Sequence, residues 1–112
     1  MPEFVHKNLA AGRWRELSLM EQLGNIGSEV SRAAMAQGKD EKRFENAFER
    51  ALELFDLTLD DPRWNGRRRE IARAREVFCD AASGGKEHHA SLKDIDEYFL
   101  QFAIVARRKN AL

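Results

Sequence analysis

Three consecutive arginines, Arg67, Arg68 and Arg69, follow Trp64 in the stretch DDPRWNGRRRE at positions 60–70. A guanidinium is a planar cation that binds phosphate or carboxylate groups through two parallel hydrogen bonds. The chemistry open to this stretch is therefore recognition of an anion, and the indole ring adds a surface on which a nucleic-acid base can stack. The alternative is structural: Trp64 plugs the end of the core, and the arginines pair with acidic residues of the same chain.

The elements that must position these cations are helices, because hydrophobic residues recur at helical spacing in four segments and nowhere alternate with a period of two. The first segment begins at Ser18, and Gly38 ends it; the second covers 40–59 and ends before Pro62; the third covers 66–83; the fourth begins at Ser91. Ser18 and Glu21 have the spacing of a capping box. Short connections between four amphipathic helices predict an all-α, antiparallel up-down-up-down four-helix bundle over residues 18–112, preceded by an N-terminal arm of residues 1–17.

Alternating helix directions place several separate groups of cations at one end of this predicted bundle. The second helix ends, the third begins and the fourth ends near the start of the first. The predicted binding residues are Arg13, Arg15, Arg63, Trp64, Arg67, Arg68, Arg69, Arg107, Arg108 and Lys109. Basic and acidic side chains are equal in number, 19 of each, so any attraction for RNA or DNA must come from this local clustering. The same cluster of cations could also bind the acidic surface of a protein partner, which is the alternative to a nucleic acid.

Two glycines lie inside the first predicted helix, at Gly24 and Gly27. Each destabilises a helix by roughly 1 kcal/mol relative to alanine. Their presence predicts that another helix comes close at this position, from the same chain or from a second copy. We therefore expect self-association into a homo-oligomer.

Acidic residues form one sector of the second helix, beside its apolar stripe: Glu45, Glu49, Glu53, Asp56 and Asp60. This sector predicts ion pairs with the next helix or with another subunit, and a site for a divalent cation is the alternative. MazG-type nucleotide pyrophosphohydrolases hold magnesium with Glu-Glu-x-x-Glu on one helix and Glu-x-x-Asp on the next. The segments EQLGN at 21–25 and ELFD at 53–56 have this spacing, but Gln22 and Asn25 replace two carboxylates that magnesium requires. No metal site, cofactor or catalytic residue is predicted, and a divergent magnesium-dependent pyrophosphohydrolase stays the alternative to a non-enzymatic module.

Four segments carry a resemblance to known proteins: SLMEQLGNIGSEVSRA, AFERALELFDLTLDDPRW, REIARAREVFCD and YFLQFAIVARRK. They resemble a family of small prokaryotic four-helix-bundle proteins that is largely uncharacterised. More loosely, the chain is similar to the four-helix-bundle proteins encoded in ribosomal-RNA intervening sequences and to the accessory variability determinant of diversity-generating retroelements. That last resemblance implies a homo-oligomer that serves a reverse transcriptase and its RNA.

The single cysteine, Cys79, cannot form a disulfide within the chain, which favours a reducing cytoplasm. No apolar run approaches the roughly 20 residues that a membrane-spanning helix needs. We therefore expect a cytoplasmic protein with no membrane partner.

Overall fold

Helices make up nearly all the regular structure of the chain in the computed structural model, which describes residues 12–111 and the side chains of residues 12–108. The main helices are α1 (Leu19–Ala36), α2 (Glu41–Leu59), α3 (Arg68–Ala82) and α4 (Leu92–Ala111). A 3-10 helix, Pro62–Arg67, precedes α3, and residues 12–14 are also helical. No strand occurs in residues 12–111, so the described chain is all-α, as the hydrophobic spacing predicts.

The starts of the helices follow local signals in the sequence. Ser18 Oγ accepts a hydrogen bond from the Glu21 backbone N–H at 3.1 Å, and Glu21 Oε1 accepts one from the Ser18 N–H at 3.0 Å. Ser91 and Asp94 make the same reciprocal pair before α4, at 3.1 and 3.0 Å. These capping boxes satisfy N–H groups that have no partner within the helix.

The third helix begins later than predicted, at Arg68 rather than near residue 66. Asp61 caps the preceding 3-10 helix by accepting a hydrogen bond from the Arg63 N–H at 3.1 Å, and Pro62 occupies its first position. Proline is tolerated there because the N–H that it lacks would have no partner. Residues 62–67 therefore form a short helix of their own, with its own cap.

The centre of the core is a group of phenylalanines from three different helices. Phe55 of α2, Phe78 of α3 and Phe99 of α4 are almost fully buried. The centroid of the Phe55 ring lies 5.9 Å from that of Phe78 and 5.8 Å from that of Phe99. From α1, Ile26 and Val30 complete this centre. Aromatic pairs at such distances add a favourable electrostatic contribution to the burial of apolar surface.

Helix α1 packs against both α2 and α4, and α3 contacts both α2 and α4. At Gly24, an added Cβ would lie 3.2 Å from the Ala103 Cα, and at Gly27 it would lie 2.8 Å from the Phe99 Cβ. The two glycines therefore allow α1 and α4 of the same chain to approach closely. This is one of the two explanations that the sequence left open.

Within residues 12–111, none of the helices combines the length and the apolar character that a membrane span requires.

Candidate functional site

Gln22 is the centre of a buried polar network at the start of α1. Its side chain is fully buried, and its Nε2 donates to the Trp14 carbonyl at 2.8 Å and to Asp61 Oδ2 at 3.2 Å. Its Oε1 accepts a hydrogen bond from Trp64 Nε1 at 2.9 Å. A buried amide costs free energy unless its donors and acceptor are paired, and here both groups are. Gln22 thus links α1 to the segment before it and to the segment after α2.

Trp14 closes this end of the core. Its exposed fraction is 7%, and its Nε1 donates to Thr58 Oγ1 at 2.9 Å. The Thr58 hydroxyl in turn donates to the Leu54 carbonyl at 2.9 Å. Burial and this hydrogen bond together hold Trp14 in the core.

Asp61 is a buried carboxylate that is fully paired. Its exposed fraction is 1%, and Arg63 donates to it from Nε at 3.1 Å and from Nη2 at 2.7 Å. Arg63 Nη2 also donates to the Leu17 carbonyl at 2.8 Å. The hydrogen bonds from Arg63 are the main reason that the pKa of Asp61 is lowered to about 2, with Gln22 contributing and burial opposing the shift. Arg63, one of the predicted binding residues, is therefore also an internal partner.

Trp64 is half-buried beside this ion pair. The Arg63 guanidinium carbon lies 4.4 Å from the centroid of the indole ring, in a cation–π contact. Gln22 therefore binds the indole N–H, Arg63 covers one face of the ring, and the ring packs against the hydrophobic core.

The three consecutive arginines have different environments. Arg67 Nε lies 3.2 Å from Glu70 Oε2, and both side chains are more than half exposed. Arg68 and Arg69 are exposed, and neither has a hydrogen bond or an ion pair within residues 12–108. Two of the three cations are therefore not neutralised by a described acidic side chain.

Four other predicted cations are also exposed. Arg13 and Arg15 are exposed on either side of the buried Trp14, and Arg107 and Arg108 are exposed near the end of α4. No hydrogen bond or ion pair among the described side chains joins these four arginines to another residue. The side chain of Lys109 lies outside the described residues. We call the predicted set, with the network that it surrounds, the arginine-rich end: Arg13, Arg15, Arg63, Trp64, Arg67, Arg68, Arg69, Arg107, Arg108 and Lys109.

The positions that would form a MazG-type site have other partners. Gln22 belongs to the network described above, and Asn25 Nδ2 donates to the Glu21 carbonyl at 2.8 Å. Asp56 accepts a hydrogen bond from Arg75 Nε at 3.0 Å, which is the predicted type of ion pair between the acidic sector of α2 and the next helix. In the described part of the chain, no three histidine, cysteine or acidic side chains are grouped so that they could hold a metal ion.

A second candidate site lies in an open groove of about 610 Å³ between α1 and α2. Cations, one exposed acid and one exposed methionine border it, and a buried glutamate contributes to its wall: Glu29, Arg32, Met35, Lys39, Asp40, Arg43 and Arg50. Glu29 has an exposed fraction of 5%; its Oε1 pairs with Arg32, but its Oε2 has no hydrogen-bond partner among the described residues. Arg43 lies 3.5 Å from Asp40 and is largely exposed.

Sequence reasoning missed the buried polar roles of Gln22 and Glu29. The two residues are seven positions apart on α1, which places both on the same side of the helix. They adjoin the apolar stripe that includes Leu23, Ile26 and Val30. Polar residues repeated at this spacing next to an apolar stripe are the signal that predicts their burial.

Comparison with protein-family models, with curated proteins and with solved structures found no match to this chain.

Proposed function

We propose that this chain is a non-enzymatic, cytoplasmic interaction module whose arginine-rich end binds the phosphates of RNA. The arrangement that this function requires is an up-down-up-down four-helix bundle. Two contacts support it. Gly24 faces Ala103 and Gly27 faces Phe99. Residue numbers therefore fall along α4 as they rise along α1, which is expected for antiparallel helices. Gln22 near the start of α1 bonds Asp61 just after α2, as expected for antiparallel neighbours.

The observation that carries the functional proposal is the environment of Arg68 and Arg69. Both lie in the first turn of α3, where a cation opposes the helix dipole by about 0.3–1 kcal/mol. Both are exposed, and no acidic residue within the described part of the chain pairs with either. Cations that destabilise the start of a helix and have no acidic partner in the fold are expected where they bind an external anion.

The hydrogen-bonded network around the segment that precedes these arginines supplies a rigid base for the arginine-rich end. Arg63 is fixed by Asp61 and by the Leu17 carbonyl, and Trp64 is fixed by Gln22. Arg13 and Arg15 flank Trp14, which is anchored on Thr58. Cations held on a rigid base lose less conformational entropy when a phosphate backbone binds them.

Affinity for RNA as a function of salt concentration tests this function. We expect the Arg68→Gln, Arg69→Gln double variant to keep the fold and to bind a short RNA hairpin more weakly than the parent. The slope of log affinity against log salt should become shallower by about 0.7–0.9 for each lost phosphate contact, because fewer counterions are released. Fluorescence anisotropy over a range of salt concentrations measures both quantities.

The matched control replaces Lys86 and Lys93 with glutamine. Both lysines are exposed, and they lie in the connection before α4 and in its first turn, outside the arginine-rich end. This variant has the same change in net charge, so a general effect of charge would weaken binding equally in both variants. Equal affinities and equal slopes for all three proteins would rule out RNA binding by Arg68 and Arg69.

Self-association is the second part of the proposed function, and exposed apolar side chains on α4 support it. Leu100 is 58% exposed and Ile104 is 42% exposed, on a face that also carries Glu97 and Arg108. Two antiparallel copies of this face would bring their apolar centres together and place opposite charges next to each other. We expect the Leu100→Ser, Ile104→Ser variant to sediment as a smaller species than the parent. A parent that sediments as a monomer at every concentration would exclude self-association.

A further inference from the structure

The groove between α1 and α2 combines an apolar floor with a cationic border. Its floor includes the small side chains of Ala36 and Ala47, which are buried. Cations border it above this apolar floor. Its volume of about 610 Å³ lies within the range of roughly 300–1,000 Å³ that is typical of small-molecule sites. Such a groove favours a ligand with an apolar body and an anionic group.

Glu29 adds a requirement for a hydrogen-bond donor. Its side chain is more than nine-tenths buried, and Oε2 has neither solvent access nor a donor within the described structure. A buried carboxylate oxygen without a donor destabilises the folded chain, and a ligand that supplies a donor removes this penalty. Arg32 pairs with the other oxygen, Oε1, and is 66% exposed, so its guanidinium can shift towards solvent while it keeps this pair and open Oε2 to a ligand in the groove.

The two ends of the groove present different chemistry. Arg43, Ala47 and Arg50 lie one turn apart on α2, and Arg43 and Arg50 are separated by about 10 Å along the helix axis. Lys39 is in the turn that joins α1 to α2, so Lys39 and Arg43 lie at the same end of the groove. Glu29 lies two turns before the end of α1, at the other end, where α2 contributes Arg50.

We infer that this groove binds a purine nucleotide. The phosphate binds Lys39 and Arg43, the ring lies on the floor formed by Ala36 and Ala47, and an N–H group of the base donates to Glu29 Oε2 while Arg32 stays paired with Oε1. Lys39 has no ion pair within the described side chains, and Arg43 has only a long one with Asp40, so both are available to an anion. This site is separate from the arginine-rich end and does not depend on RNA binding there.

Titration of the full chain with adenosine 5′-monophosphate, followed by NMR, tests the inference. We expect saturable shifts of the backbone amide signals of Ala36 and Ala47. The Lys39→Gln, Arg43→Gln double variant should bind both adenosine 5′-monophosphate and inorganic phosphate at least tenfold more weakly. Glu29→Gln should weaken the nucleotide about tenfold while leaving inorganic phosphate unchanged, because the carboxylate contacts only the base.

Two controls separate this site from other sources of binding. Lys42→Gln removes a neighbouring exposed cation that does not line the groove, and it should change nucleotide affinity less than twofold. The Arg68→Gln, Arg69→Gln variant should bind the nucleotide with the same affinity as the parent, even if it no longer binds RNA. Three results would each overturn the inference: no saturable shift at millimolar nucleotide, shifts confined to the start of α3, or an equal effect of Lys42→Gln and the Lys39→Gln, Arg43→Gln variant.

Discussion

Two buried carboxylates, Asp61 at the arginine-rich end and Glu29 in the α1–α2 groove, show how differently this small protein uses the same chemical group. Each is paired with a partly exposed arginine that is close in sequence, Arg63 or Arg32. Asp61 accepts hydrogen bonds from Arg63 and Gln22 on both oxygens. Glu29 has a partner on one oxygen only, within the part of the chain that the structure describes.

The difference separates a structural acid from one that is available for binding. Asp61 connects three segments, since Gln22 belongs to α1 and Arg63 also binds the Leu17 carbonyl. The Glu29–Arg32 pair joins two residues of the same helix and connects nothing else. An ion pair that holds segments together contributes to stability, whereas a half-paired acid beside a groove is better suited to a ligand.

The largest expected effect is on stability. Asp61→Asn should lower the free energy of unfolding by about 3 kcal/mol, because asparagine has one acceptor oxygen where Arg63 uses two, and it removes the negative charge that pairs with Arg63. Glu29→Gln should change the same free energy by less than about 1 kcal/mol, because glutamine keeps an acceptor for Arg32 and removes a buried charge. Urea denaturation measures both values. Similar losses in the two variants would remove the distinction between the two acids.

The next effect is a loss of stability in acid. The pKa of Asp61 is about 2 in the folded protein against an ordinary 3.8, so the folded state binds its proton less readily than the unfolded state. The resulting stabilisation, about 2 kcal/mol, is present above pH ~4 and is lost as the pH falls towards ~2. Urea denaturation at pH 5 and at pH near 2 should show that Asp61→Asn lacks this component and that Glu29→Gln retains it. An acid response of Asp61→Asn that matches the parent would assign the loss to other groups.

The smallest effect concerns an exposed ion pair at the same end of the molecule. Arg67→Gln should lower the free energy of unfolding by less than about 0.5 kcal/mol, because Arg67 and Glu70 are both more than half exposed and solvent screens them. Arg63→Gln, the comparison variant, should lower the melting temperature more than Arg67→Gln does, because it leaves the buried Asp61 without its main donor. Thermal unfolding of the two variants side by side measures the contrast. Equal melting temperatures would show that the Asp61–Arg63 pair stabilises the fold no more than the exposed Arg67–Glu70 pair does.

Much of the local structure follows from short-range signals that the sequence contains. The capping pairs Ser18–Glu21 and Ser91–Asp94 mark helix starts, and both are present with reciprocal hydrogen bonds. Helix α3 begins two residues after the predicted position. The reason is that residues 62–67 form a separate 3-10 helix, which Asp61 caps. Local signals fix which residues are helical more reliably than they fix the kind of helix.

The sequence by itself determined the all-α class, the approximate helix boundaries and the presence of many arginines near the predicted helix ends, because these depend on neighbouring residues and on periodicity. Only the tertiary structure decided which arginine is neutralised. Arg63 pairs with Asp61 two residues away, but the buried Asp61 carboxylate also contacts Gln22, which lies 39 positions earlier in the chain. The same holds for Gly27, whose missing side chain makes room for Phe99 of α4. Contacts between residues distant in sequence set burial, and burial decides whether a charge stabilises the fold or stays available to a partner.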